Sequence, residues 1–105
     1  MENEMIKVLV NAGICGHEIK ITVNTLPDST VKAVIETSCP NISKISPELL
    51  VFDPVTELFQ DGNLSTELKK YTSHPSCVFI SALLKAAESE AGFALKKDIS
   101  IKFIE

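Results

Sequence analysis

Three cysteines, Cys15, Cys39 and Cys77, and two histidines, His17 and His74, are the side chains of this 105-residue chain best suited to hold a soft metal or attack an electrophile. Thiolates and imidazoles are the ligands of tetrahedral zinc, a set of three cysteines and one histidine among them, and thiolates alone hold iron–sulfur clusters. His74 stands three residues before Cys77 and His17 two after Cys15, so each histidine has a thiol as a close chain neighbour. No Cys-x-x-Cys pair occurs, and the cysteines are far apart in sequence, so any common site must be assembled by the fold. An odd number of cysteines leaves no fully paired disulfide framework within one chain, and reduced thiols are expected. Two other roles compete with metal binding. Free cysteine is among the most buried residue types and often serves as a small apolar filler. A thiol at a helix start is a better nucleophile or sulfur carrier, because unpaired N–H groups and the helix dipole favour its thiolate.

The other polar residues form no catalytic constellation. Gly13-Ile14-Cys15-Gly16 is too short for a dinucleotide fingerprint and leads into a strand pattern, so its glycines read as turn residues. Asp53, Glu57, Asp61 and Glu67 lie in short helical segments, where acids near helix starts are expected on electrostatic grounds. Nothing resembles a triad, and a non-enzymatic role is expected.

The elements that must position the thiols follow from the hydrophobic period. Ile6, Val8 and Val10 alternate with Lys7, Leu9 and Asn11; Ile19, Ile21 and Val23 alternate with Glu18, Lys20, Thr22 and Asn24; Val31, Ala33 and Ile35 alternate with Lys32, Val34 and Glu36. The two-residue period predicts three strands, and their short connections predict an antiparallel meander. Cys39-Pro40-Asn41, Ser46-Pro47-Glu48 and Asp53-Pro54 each carry proline at a first helical position, predicting short helical pieces, and Ser65 is a candidate cap for another from Thr66 to Tyr71. Ile80, Leu83, Leu84, Ala87 and Ala91 recur at helical spacing and end at Gly92. Ile99, Ile101 and Phe103 alternate with Ser100 and Lys102, predicting a C-terminal strand. The fold expected is α+β: a mixed four-stranded sheet, the N-terminal meander plus the C-terminal strand, covered by helices on one face. In that arrangement Cys15 and Cys39 share one edge. Cys77 joins them if the last strand runs parallel to the first and third, because the long helix must then run the opposite way.

Length and a 45% apolar composition predict a single domain over residues 1–105. The acidic opening and the lack of about 18 consecutive apolar residues argue for a cytosolic protein without a membrane span. A net charge of −4, scattered lysines and the absence of arginine disfavour nucleic acid and bidentate anion recognition. Leu9, Val34 and Ile104 are apolar on otherwise polar strand faces, the mark of a surface that recruits a protein partner or a second copy.

Asn11-Ala12-Gly13-Ile14-Cys15-Gly16, Glu36-Thr37-Ser38-Cys39-Pro40-Asn41-Ile42, the stretch from His74 to Cys77 and the stretch from Ala91 to Ile101 together resemble a small uncharacterised family from anaerobic bacteria and archaea. The resemblance covers nearly the whole chain and implies a compact domain with cysteines matching Cys15, Cys39 and Cys77, with no assigned activity. The family pattern has proline after the third cysteine, where this chain has Val78. The preferred expectation is thus a metal-binding domain holding zinc or an iron–sulfur cluster through Cys15, Cys39 and Cys77, with His74 as a fourth ligand. An interaction or adaptor module with structural cysteines, acting as a homodimer or on a protein partner, is the second, and a thiol or sulfur carrier the third.

Overall fold

The computed structural model of the chain describes residues 5–11, 16–60, 62–72 and 78–104. Strands β1 (Ile6–Asn11), β2 (Glu18–Thr25), β3 (Val31–Thr37) and β4 (Val51–Phe52) form one sheet in the order β1-β2-β3-β4, every pair antiparallel. The first three make the expected meander. Asn11 faces Glu18 and Ile19 faces Thr37, so these residues mark one end of the sheet, called the upper end below. Thr25 faces Val31 at the lower end. The alternation sorts the faces as the sequence dictates. Ile19, Ile21, Val23, Val31 and Ala33 are buried, while Lys20, Lys32, Val34 and Glu36 point to the open side.

The hairpin between β2 and β3 is closed by hydrogen bonds from Leu26 N to Thr30 O (2.8 Å) and from Ser29 N to Leu26 O (3.0 Å). Its geometry puts Ser29 at φ 75°, a left-handed conformation that costs an L-residue energy. Asp28 Oδ1 holds the turn in place by accepting from Thr30 N (3.1 Å) and Thr30 Oγ1 (2.6 Å).

Between β3 and the long helix the chain runs in short pieces. They are 3-10 turns at Ile42–Lys44 and Pro47–Leu50, α1 (Pro54–Phe59), α2 (Leu64–Leu68) and a 3-10 turn at Lys69–Tyr71. Ser46 and Asp53 cap their segments as their positions before proline predict, accepting from Glu48 N and Val55 N. The start of α2 departs from expectation: the helix begins at Leu64 after Asn63, with Ser65 inside it. Its first amide is satisfied from a neighbouring helix, by Glu57 Oε1 accepting from Leu64 N at 2.9 Å. A side chain at Gly62 would run into that Glu57 carboxylate, so the glycine is what lets it reach α2.

The long helix α3 (Phe79–Glu90) covers the inner face of β1 and β2. Its most buried residues are Phe79, Ala82, Leu83, Ala86 and Ala87, with Ile80 and Leu84 only partly covered. Leu83 and Ala87 of the expected stripe are fully buried, while Phe79, Ala82 and Ala86 are more covered than Ile80, Leu84 and Ala91, so the buried stripe is turned toward Phe79. Gly92, at φ 86°, ends the helix in a Schellman motif, with Phe93 N donating to Glu88 O (3.0 Å) and Gly92 N to Ser89 O (3.1 Å).

The α+β class and the four strands are as expected, but the fourth strand is Val51–Phe52, paired to β3, and the sheet is antiparallel throughout. Among the described residues none after Phe52 joins the sheet. Alternation at Ile99, Ile101 and Phe103 signals strand potential, yet a strand forms only against a partner ladder, and among the described residues none pairs with 94–104. No helix among the described residues is long and apolar enough to cross a membrane.

Candidate functional site

The upper end of the sheet gathers polar residues and the Cys39 thiol. Thr37, the last residue of β3, donates its hydroxyl to Glu18 O (2.8 Å) and accepts from Cys39 N (3.1 Å). Ser38 Oγ and His17 Nδ1 share a hydrogen bond of 2.9 Å, tying the entry of β2 to the exit of β3. Cys39 follows directly. It is partly buried, packs against the core, and its carbonyl accepts from Ser43 N at 3.0 Å. The hydroxyl of Ser43 donates to Pro40 O (3.1 Å) and closes the turn.

Cys39 does not stand at a helix start. The segment beyond it is a single 3-10 turn of three residues, Ile42–Lys44, preceded by Asn41.

The direction of α3 is set at the lower end. Glu90 Oε2 accepts from both the backbone N and the hydroxyl of Thr25, each at 2.9 Å, and pins the last helical residue beside the end of β2. Twelve helical residues rise about 18 Å, against about 26 Å for the eight residues of β2, so the helix leads back toward the upper end. Val78, the residue before α3, packs against the core. Glu90 thus places the last turn of α3 beside the end of β2, and the helix packs along β1 and β2.

Of the candidate ligands, Cys39 is described and lies at the upper end; Cys15, His74 and Cys77 lie outside the described residues. Among the described residues no three of His, Cys, Asp and Glu cluster closely enough to hold a metal. No local spacing links His17 to Ser38, which are 21 residues apart in the chain and are brought together by the β2–β3 register. The Thr37-Ser38 dipeptide before Cys39 was the local signal, since both hydroxyls are placed to bond nearby backbone or side chains.

The second surface of interest is the open face of the sheet. Lys7, Leu9, Lys20, Thr22, Val34 and Glu36 line a shallow depression there, with Leu9 and Val34 exposed. Lys20 and Glu36 face each other across β2 and β3 at 3.8 Å, both well solvated, an ion pair worth little to stability.

No curated protein and no solved structure matches the chain. Residues 6–103 match DUF6951, a family of unknown function, and the chain belongs to that family.

Proposed function

We propose that the chain is a non-catalytic metal-binding domain in which Cys15, Cys39 and Cys77, with His74 as the fourth donor, hold zinc or an iron–sulfur cluster at the upper end of the sheet. The observation that supports the reading is the placement of the described neighbours. Gly16 and His17 enter β2 at that end, Cys39 leaves β3 there, and α3, preceded by Val78, runs back from the Glu90–Thr25 anchor at the other end. A site of this kind needs sulfurs within about 4 Å of one another, since each metal–sulfur bond is about 2.3 Å in a tetrahedron. His17 is the alternative fourth donor. Its Nδ1 is held by Ser38, and metal-binding imidazoles use the second ring nitrogen for such an orienting bond.

Metal analysis and a visible spectrum of the full chain purified without oxygen test the proposal. Stoichiometric zinc or a cluster chromophore is expected, lost in Cys39→Ser and in Cys77→Ser, and the metal contents of His74→Ala and His17→Ala separate the two fourth donors. Colourless, metal-free protein that takes up neither zinc nor iron and sulfide would overturn it.

A second reading, an interaction module with packing cysteines, is favoured by the exposure of Leu9 and Val34 on the open face.

A further inference from the structure

The open face of the sheet is divided by charge along its strands. The register places Glu18 at the upper end and Leu9, Lys20 and Glu36 in the row below it. Lys7, Thr22 and Val34 form the third row, and Lys32 lies beside Asn24 at the lower end. The five charged side chains are all exposed. Both glutamates thus stand in the upper half. Of the three lysines, Lys7 and Lys32 stand in the lower half, and Lys20 is paired with Glu36 at 3.8 Å. Leu9, 64% exposed, and Val34, 48% exposed, occupy the two middle rows.

Such a face complements an inverted copy of itself. A two-fold axis across the strands, between the Lys20 and Thr22 rows, lays the upper half of one face on the lower half of another. Lys32 of the second copy then stands over the space between Glu18 and Glu36, and the same contact recurs at the other end by symmetry. In the middle rows Leu9 meets the methylene stem of Lys7, and Val34 that of Glu36, so apolar groups face each other at the centre. A two-fold axis along β2 would instead set Lys20 on Lys20, a like-charge contact that costs energy. Charge also selects a second copy over other occupants. The face holds three lysines and two glutamates, whereas the whole chain carries −4, so the rest of the surface is acidic and copies repel one another through it. A partner of a single sign would leave one half of the face opposed by like charge.

We propose that the chain forms a two-fold dimer in which the open faces of two sheets pack on each other, leaving each α3 on the outside. Packed sheets lie about 10 Å apart, a gap that the lysine and glutamate side chains span. Strands β1 to β3 present about 15 × 23 Å per copy, at the low end of interfaces that hold in solution, so the pair should form in the upper micromolar range. The inference names the partner for the interaction reading above and rests on it. It needs neither the thiols nor a metal.

Sedimentation equilibrium of the reduced full chain from about 10 μM to about 1 mM tests the proposal. The mass is expected to rise from one 11.5 kDa chain toward two. K32E gathers three acids at each charged contact of the pair, and E18K/E36K gathers three lysines, so each variant alone should associate at least about tenfold more weakly. An equimolar mixture of the two variants restores opposite charge at both contacts, and dimers should reappear, a gain that a misfolded variant could not give. A chain that is monomeric over the whole range overturns the proposal and leaves the open face to a different protein. Variants that stay apart when mixed also overturn it. A dimer whose mass is unchanged in both variants overturns it together with the interaction reading of the open face, since the copies would then meet elsewhere.

Discussion

Replacing Glu90 by alanine sets two opposed electrostatic effects against each other. The carboxylate is the last residue of α3, beside the negative end of the helix dipole, so removing it relieves about 0.5 kcal/mol of repulsion, and alanine's helix propensity adds a few tenths more. Against this, Oε2 accepts two hydrogen bonds of 2.9 Å from Thr25, one from the backbone and one from the hydroxyl, in a partly buried setting. Hydrogen bonds to charged groups contribute about 1.5–3 kcal/mol each, and partial access of water argues for the low end, about 2–3 kcal/mol for the pair. The bonds win, and Glu90→Ala is expected to destabilise by about 1.5–2 kcal/mol, a shift of about 1 M in urea midpoint for a chain of this size. Glu90→Gln relieves the dipole and keeps one acceptor oxygen, so it should fall between wild type and Glu90→Ala. Thr25→Val removes only the hydroxyl, and a double-mutant cycle with Glu90→Ala should give a coupling of about 0.5–1 kcal/mol. Equilibrium urea denaturation measures the wild type and the four variants. If Glu90→Ala is as stable as wild type or more so, the dipole dominates and the anchor assigned to the lower end of α3 is wrong.

Leu83, fully buried in α3, should lose about 2–5 kcal/mol on substitution by alanine, enough to be seen as a large fall in thermal midpoint by circular dichroism. Ser29→Gly should stabilise by about 1 kcal/mol, because glycine accepts the φ of 75° without the steric cost borne by serine; a loss of stability in urea would show that the serine side chain matters more than its backbone. The Asp28 carboxyl is held below its usual value, first by the Thr30 hydroxyl and then by the Thr30 amide. A depressed carboxylate contributes stability that is present above its unfolded pKa and disappears as pH falls through the folded one. Asp28→Asn should therefore lose that contribution at neutrality and flatten the acid limb of stability below about pH 4, the two proteins converging in urea denaturation at low pH.

The meander was legible because Ile19, Ile21 and Val23 alternate with polar neighbours and the pattern breaks at Leu26-Pro27-Asp28-Ser29. The short helical pieces were legible from Ser46-Pro47 and Asp53-Pro54, where a capping oxygen and a proline act within one turn of chain. Local signals failed where a distant group intervened. Glu57 satisfies the start of α2, so Ser65 was not needed as its cap. Phe79 is fully buried alongside Leu83 and Ala87, so the helix is turned away from Ile80 and Leu84, which spacing alone places on the same stripe. The C-terminal period is that of a strand, but a strand is a property of two segments, and among the described residues no second one pairs with it. At the thiol end, the residue types were visible in the sequence, whereas the His17–Ser38 contact depends on the register of β2 against β3 and could not be read from either residue.

The two sides of the sheet are not equivalent. β4 pairs with β3 only at Val31 and Lys32, and the 3-10 turns Ile42–Lys44 and Pro47–Leu50 lie against β3 beyond it. An incoming strand finds no continuous ladder on that flank, whereas β1 offers six residues. The β3 flank is thus blunted against further pairing by the short strand and the turns laid along it, the protection that a sheet edge needs against other chains.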